Sequence, residues 1–270
     1  TPACWHAKAG WVQPARLVRA LLAQPGIEWC PRKSVARLQR SPATDSATTG
    51  DSAATGIWQA LDDHGHTIAE AECVVLAAGP ACNALLAASS APTLPLQSVR
   101  GQLSWGRQDT GAAALPPFPV NGNGGLVAHV PREAGQAWHM GSTFERDVDA
   151  LPLTSAEVAA AHATNWRRLQ EMLPNAAPTP QAAVSRTPPP DSAAVRAWAS
   201  VRCPATDRLP IVGPVDAQSL LGLWVCTAMG ARGLTRAVLC GELLAALVNA
   251  EPLPLDARLT RAMGTARLEK

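Results

Sequence analysis

The stretch from Leu223 to Leu247 constrains the fold of this chain most. Its apolar run, Leu223–Ala228, has the length of a strand. A corner follows, Met229-Gly-Ala-Arg-Gly233. Leu234, Val238, Leu239, Leu243, Leu244 and Leu247 then recur at the spacing of a helix with one apolar face. A strand, a glycine corner and a helix N-terminus together expose backbone N–H groups without internal partners, at the positive end of the helix dipole. Glycine lets a ligand come close to the backbone. The predicted ligand against Gly230–Thr235 is negative or electron-rich. Taken alone, the corner is also compatible with an ordinary strand–helix junction.

The rest of the chain alternates in type. Pro14 suits a first helical position, and Leu17, Val18, Leu21 and Leu22 make an apolar face over Ala15–Gln24. Ile27–Cys30 and Ser34–Leu38 read as short strands. Ile57–Leu61 and Thr67–Glu70 read as a hairpin turning at Asp62–Gly65. Cys73-Val-Val-Leu-Ala-Ala-Gly79 is continuously apolar, the pattern of a parallel strand covered on both faces. Residues 94–143 read as antiparallel sheet, with a turn at Asn121-Gly-Asn-Gly-Gly125. Leu153–Leu173 is the clearest helix, opened by a capping box of Thr154 and Glu157. Val195–Val201 reads as a strand. Residues 41–56 form a low-complexity loop, 174–190 a proline-rich connector and 251–270 a tail. This order predicts a mixed α/β (α+β) chain. A nucleotide-binding domain is assembled from 10–40, 73–93 and 205–250, and an antiparallel domain, 94–204, is inserted into it.

Several function classes find no support. The net charge of +2 supplies no dense basic face, although a balanced total can hide a small patch. The seven cysteines include no Cys-x-x-Cys pair and read as reduced thiols. His64 and His66 have no other ligands near in sequence, so no metal is expected. There is no Gly-x-Ser-x-Gly and no Walker-type loop, and no strand is followed by Gly-x-Gly-x-x-Gly. Gly122-Asn-Gly124-Gly125 lacks the third glycine and the following helix. No apolar run reaches about 18 residues, so a membrane span is not expected and the predicted location is cytoplasmic. The chain begins at Thr1 without a methionine, and the expectation is a piece of a longer protein.

Arg202 lies in a loop-like block, Arg202-Cys-Pro-Ala-Thr-Asp-Arg-Leu-Pro-Ile-Val-Gly213. An arginine beside a pocket clamps a carboxylate bidentately, although a surface role is the simpler reading of the residue alone. Gly10 and Trp11 are candidate pocket walls, and Trp11 equally suits plain core.

Together these pieces resemble the FAD-dependent amine and amino-acid oxidoreductases of the D-amino-acid-oxidase and glycine-oxidase type. The resemblance is carried by Gly10-Trp-Val-Gln-Pro14, Val74–Gly79, Ser98-Val-Arg-Gly-Gln102, Gly141-Ser-Thr143, Val201–Gly213, Met229–Leu234 and Ala250–Asp256. Within that family the likeness is to the C-terminal oxidoreductase half of bifunctional proteins that modify the tRNA wobble uridine. It implies a Rossmann-like FAD domain, incomplete here without its Gly-x-Gly-x-x-Gly unit, and an antiparallel substrate domain. It implies FAD contacts at Val35, Ala78, Gly79, Gly230, Ala231, Arg232, Gly233, Leu234 and Thr235. Arg202 is implied as the clamp on a substrate carboxylate, with Gly10 and Trp11 nearby. The implied reaction oxidises the carboxymethylaminomethyl group of uridine 34 in tRNA. An imine forms and is hydrolysed to the aminomethyl nucleoside. A SAM-dependent methyltransferase domain is implied as a partner in the longer protein. The alternatives are a small-molecule oxidase of glycine-oxidase type and a non-catalytic piece that needs a partner segment.

Overall fold

The computed structural model describes residues 3–41, 56–108, 115–133, 135–174 and 195–268. The low-complexity stretch 42–55 and most of the proline-rich connector lie outside these residues. The chain forms two compact units, Thr1–Leu21 with Val99–Val201, and Leu22–Ser98 with Arg202–Lys270. The segment 10–40 is thus divided between them.

The second unit holds two three-stranded sheets. The first is an antiparallel meander of β1 (Arg37–Arg40), β2 (Trp58–Leu61) and β3 (Thr67–Ala71). Asp62 makes its hairpin turn by accepting the His64 and His66 N–H groups at 2.9 and 2.8 Å. The predicted strand at Ile27–Cys30 does not form, because no partner strand is supplied to it and its side chains are exposed. The other sheet pairs β4 (Val74–Leu76) with β12 (Leu223–Thr227) in parallel, and β12 with β11 (Ile211–Pro214) antiparallel. Leu76, Ile211, Leu223 and Val225 are buried in one core with Leu38, Trp58 and Leu86. Trp58 joins the two sheets, its indole N–H donating to the Leu221 carbonyl at 2.8 Å. Val75, predicted to be covered, is 40% exposed because β4 is an edge strand.

Two helices lead out of the parallel pair, α2 (Cys82–Ala88) after β4 and α4 (Gly233–Val248) after β12. Only one side of α4 is buried, through Cys240, Leu243 and Ala246. Leu234 and Val238 stay 52% and 64% exposed, which corrects the predicted apolar face. Apolar residues surround this helix, so period alone does not select the face that meets the sheet. Residues 251–270, predicted as a tail, carry α5 (Ala257–Met263), capped by Asp256, which accepts the Leu259 N–H at 2.8 Å. Arg267 then ion-pairs with Asp207 at 2.8 Å.

The first unit is an antiparallel sheet in the order β10 (Arg196–Arg202), β5 (Val99–Gln108), β8 (Gly135–Gly141), β7 (Gly124–Arg132) and β6 (Val120–Gly122). The short β9 (Glu145–Arg146) also pairs with β5. Asn123 turns the predicted β6–β7 hairpin. The helix α3 (Ser155–Met172) opens with the predicted capping box and packs on one face of the sheet. Leu126, Trp138, Met140 and Leu169 form the apolar part of that contact. A buried polar part lies beside it. Asn165 Nδ2 donates to the Gln102 carbonyl at 3.0 Å and to Ser104 Oγ at 3.1 Å, and Ser104 also bonds His162 Nδ1 at 2.7 Å. The helix α1 (Pro14–Leu22) forms as predicted, but Leu17, Val18 and Leu21 of its apolar face are exposed.

Candidate functional site

Two corners of the same kind lie at the C-terminal ends of the parallel strands, where α/β folds bind ligands. After β4, Ala77 and Ala78 are exposed, and Gly79 turns the chain at φ +57° into a single 3-10 turn, Gly79–Ala81. After β12, Ala228 and Gly230 take φ +63° and +58° before another such turn, Gly230–Arg232. At Gly230 the left-handed backbone favours glycine, and an added Cβ would also lie 3.3 Å from Pro204 Cβ. Backbone and packing therefore both favour glycine there. Gly233 has no such demand, since a Cβ there meets only ordinary contact with Met229 at 3.7 Å.

The chain that follows Arg202 bonds the second corner and passes beside the first. The Gly230 N–H donates to the Cys203 carbonyl at 3.0 Å, and Pro204 bridges to Met229. At Gly79 an added Cβ would touch Cys203 Cβ at 3.8 Å. Gln97 and Thr206 N–H groups hold the same segment through the Pro204 and Pro95 carbonyls, at 2.9 and 3.0 Å. Cys203 and Pro204 are the residues that sequence reasoning missed. They carry no periodic signal and act through backbone and shape. Burial pushes the Cys203 thiol up, which disfavours the thiolate.

The helix α4 begins with no side-chain cap, which leaves its first N–H groups to an outside acceptor. The Thr235 hydroxyl turns away from that role and donates to the Arg232 carbonyl at 3.0 Å. Ala231, Arg232, Leu234 and Thr235 are exposed around this N-terminus. The arrangement offers apolar surface and oriented N–H groups, which suits a flat apolar ring with an electron-rich edge. Arg202 closes β10 and is half-buried, and burial lowers its pKa. A carboxylate offsets that desolvation.

The sequence-predicted site residues are distributed as follows. Ala78, Gly79 and Gly230–Thr235 lie in the second unit, at the ends of β4 and β12. Arg202 opens the segment that runs beside them. Val35 packs just before β1, against the Leu38 and Trp58 core. Gly10 and Trp11 lie in the first unit, in the segment before α1, and Trp11 is 38% exposed. Among the described residues no group of histidine, cysteine and carboxylate side chains could hold a metal. No helix there is long and apolar enough to cross a membrane.

Known proteins share the sequence, and others share the fold. The chain is 52% identical, over 98% of its length, to a protein of Verminephrobacter eiseniae named tRNA 5-methylaminomethyl-2-thiouridine biosynthesis bifunctional protein MnmC. A protein of the same name from Delftia acidovorans is also 52% identical, over 99% of this chain. The chain spans only 42% and 40% of those two relatives. Among solved structures, glycine oxidase from Geobacillus kaustophilus superposes with a TM-score of 0.58 at 18% identity, covering 84% of this chain and 50% of its own. Iminodiacetate oxidase from Chelativorans sp. BNC1 superposes with a TM-score of 0.52 at 22% identity, covering 75% and 49%. These two share the fold. The family described as FAD dependent oxidoreductase (DAO) matches residues 1–247, and the chain belongs to that family.

Proposed function

We propose that this chain is the oxidoreductase part of a bifunctional tRNA-modifying protein, oxidising the carboxymethylaminomethyl group of wobble uridine 34 with FAD. One observation carries the reading: in a chain of this family, the segment that begins with Arg202 bonds the Gly230 corner and passes beside the Gly79 corner. The residues present fit a flavin. Exposed Ala77, Ala78, Ala231 and Leu234 suit the faces of its ring, and the uncapped α4 N-terminus suits its electron-rich edge. FAD, when bound, accepts a hydride from the carbon beside the substrate nitrogen.

The chain's own residues bind and orient. Arg202 holds the substrate's glycine-like carboxylate, which fixes the neighbouring C–H bond. The α4 N–H groups stabilise negative charge that grows during the transfer, and so act more strongly in the transition state than before it. No protein nucleophile is required. The resulting C=N bond takes up water and separates into the aminomethyl nucleoside and a two-carbon oxo acid. The relatives' name supports the tRNA substrate, and their bifunctional description supports a second domain that works on the product. A SAM-dependent methyltransferase domain would then methylate the freed amine. This reading places the protein in the cytoplasm with its tRNA.

The test mixes the chain with FAD and tRNA bearing the carboxymethylaminomethyl group, then analyses the nucleosides. The expected product is the aminomethyl nucleoside. Arg202→Ala is expected to weaken substrate binding by about 2–4 kcal/mol, read as a raised KM. An unchanged KM removes the clamp. Oxidation of free glycine with no action on tRNA favours the small-molecule oxidase. Absence of any flavin binding favours a piece that requires its partner segment.

A further inference from the structure

The face of the antiparallel sheet opposite α3 carries an organised group of cations and aromatic rings. On β5, Gln102 and Ser104 turn toward α3, where they bond Val158, His162 and Asn165. Strand alternation puts Trp105 on the other side. Its ring lies parallel to His139, its cross-strand partner, at 6.0 Å and 14°. The Arg196 and Arg132 guanidinium carbons lie 5.2 and 5.0 Å from the Trp105 ring centre. Arg132 Nη2 also donates to His139 Nε2 at 3.0 Å. Burial, then the Arg132 charge, lowers the His139 pKa, which keeps the ring a neutral acceptor. Two residues beyond Arg196 on the same side of β10 stands Trp198, 57% exposed.

Charge is one-sided here. The four long strands carry Arg100, Arg107, Arg132, Arg196 and Arg202 and no aspartate or glutamate. Arg100 turns the other way, to Glu145 and Glu157. Glu133 follows Arg132 at the strand end.

We infer that this face docks a single-stranded segment of RNA: Arg132 and Arg196 take backbone phosphates and Trp198 stacks an unpaired base. The inference rests on the tRNA reading above and assigns that reading its recognition surface. Trp105 holds both guanidiniums in place before binding, so less side-chain freedom is lost on contact. A flat indole beside phosphate-binding arginines is the arrangement that binds unstacked bases without base-edge readout. Duplex RNA, with its bases stacked inside, offers Trp198 nothing.

The experiment measures binding of the full chain to a labelled anticodon stem-loop hairpin and to a blunt RNA duplex of the same stem. Arg132→Gln with Arg196→Gln is expected to weaken hairpin binding about tenfold or more and to lower the salt slope by about 1.4, at about 0.7 per phosphate. Trp198→Ala is expected to weaken hairpin binding about tenfold and leave duplex binding unchanged, while Trp198→Phe restores it. Arg258→Gln, a single charge loss at an exposed residue of α5, is expected to leave affinity within about twofold. Equal binding by the wild type and all three altered residues overturns the surface. So does equal loss on hairpin and duplex for Trp198→Ala, or a wild type that ignores the hairpin. Nucleoside analysis of tRNA treated with the wild type reports the underlying reaction separately. Product there, with RNA binding unaffected by these changes, leaves the reaction standing and removes only the surface.

Discussion

Glu157 belongs to two interactions at once. Its carboxylate accepts the Thr154 N–H at 2.8 Å, closing the capping box of α3. It also accepts from the buried Arg100 guanidinium, which reaches Glu145 through Nε at 3.0 Å. These bonds, Arg100 first and Thr154 next, hold the Glu157 carboxyl down at about 2, against an ordinary 4.5. Because the folded value lies below the unfolded one, the stabilisation is complete above about 4.5 and is lost as pH falls through about 2. Glu157→Gln keeps a capping-box side chain but loses the charge. Its melting temperature is expected to lie below the wild type's by a constant amount near neutral pH, and the gap should close in acid. A gap that does not change with pH would show that the ion pair contributes nothing. The capping box was legible from two residues three apart. The Arg100 contact was not, because it joins positions 57 apart in sequence.

At the level of elements, the two glycine corners were legible as corners, and their separate reasons were not. Gly230→Ala is expected to cost about 1–3 kcal/mol, from a left-handed backbone together with the close Pro204 contact. Gly79→Ala meets the same backbone problem with ordinary contact to Cys203, so its cost should be smaller, about 1–2 kcal/mol. Gly233 opens α4 at φ −54°, where alanine is at ease. Gly233→Ala should therefore leave the denaturation midpoint unchanged or raised, yet weaken FAD binding if the cofactor approaches that backbone. Denaturant titration with and without FAD reads all three. Unchanged FAD affinity would remove Gly233 from the cofactor site, and loss of stability would show that its backbone does require glycine.

For the whole molecule, net charge concealed local charge. A total of +2 gave no reason to expect an RNA surface, while the strands bring Arg132 and Arg196 together over Trp105 on a face whose four long strands hold no carboxylate. These three residues, far apart in sequence, are brought side by side only by strand pairing. The sheet beneath the glycine corners has three strands, with β4 at its edge. The relatives are more than twice as long as this chain. This chain alone is expected to bind FAD more weakly than the full-length Verminephrobacter eiseniae relative, as read by flavin titration and the gain in melting temperature. Equal affinity would show that these residues suffice. The sequence by itself determined the local elements, because capping boxes, turns and apolar periods act between near neighbours. It also carried the family resemblance, in short blocks such as Arg202–Gly213 and Met229–Leu234. Only the tertiary structure decided which faces of α1 and α4 are covered, why glycine is favoured at Gly230, and how Arg132, Arg196 and Trp105 meet. Those depend on contacts between distant segments, whose pairing no local spacing encodes.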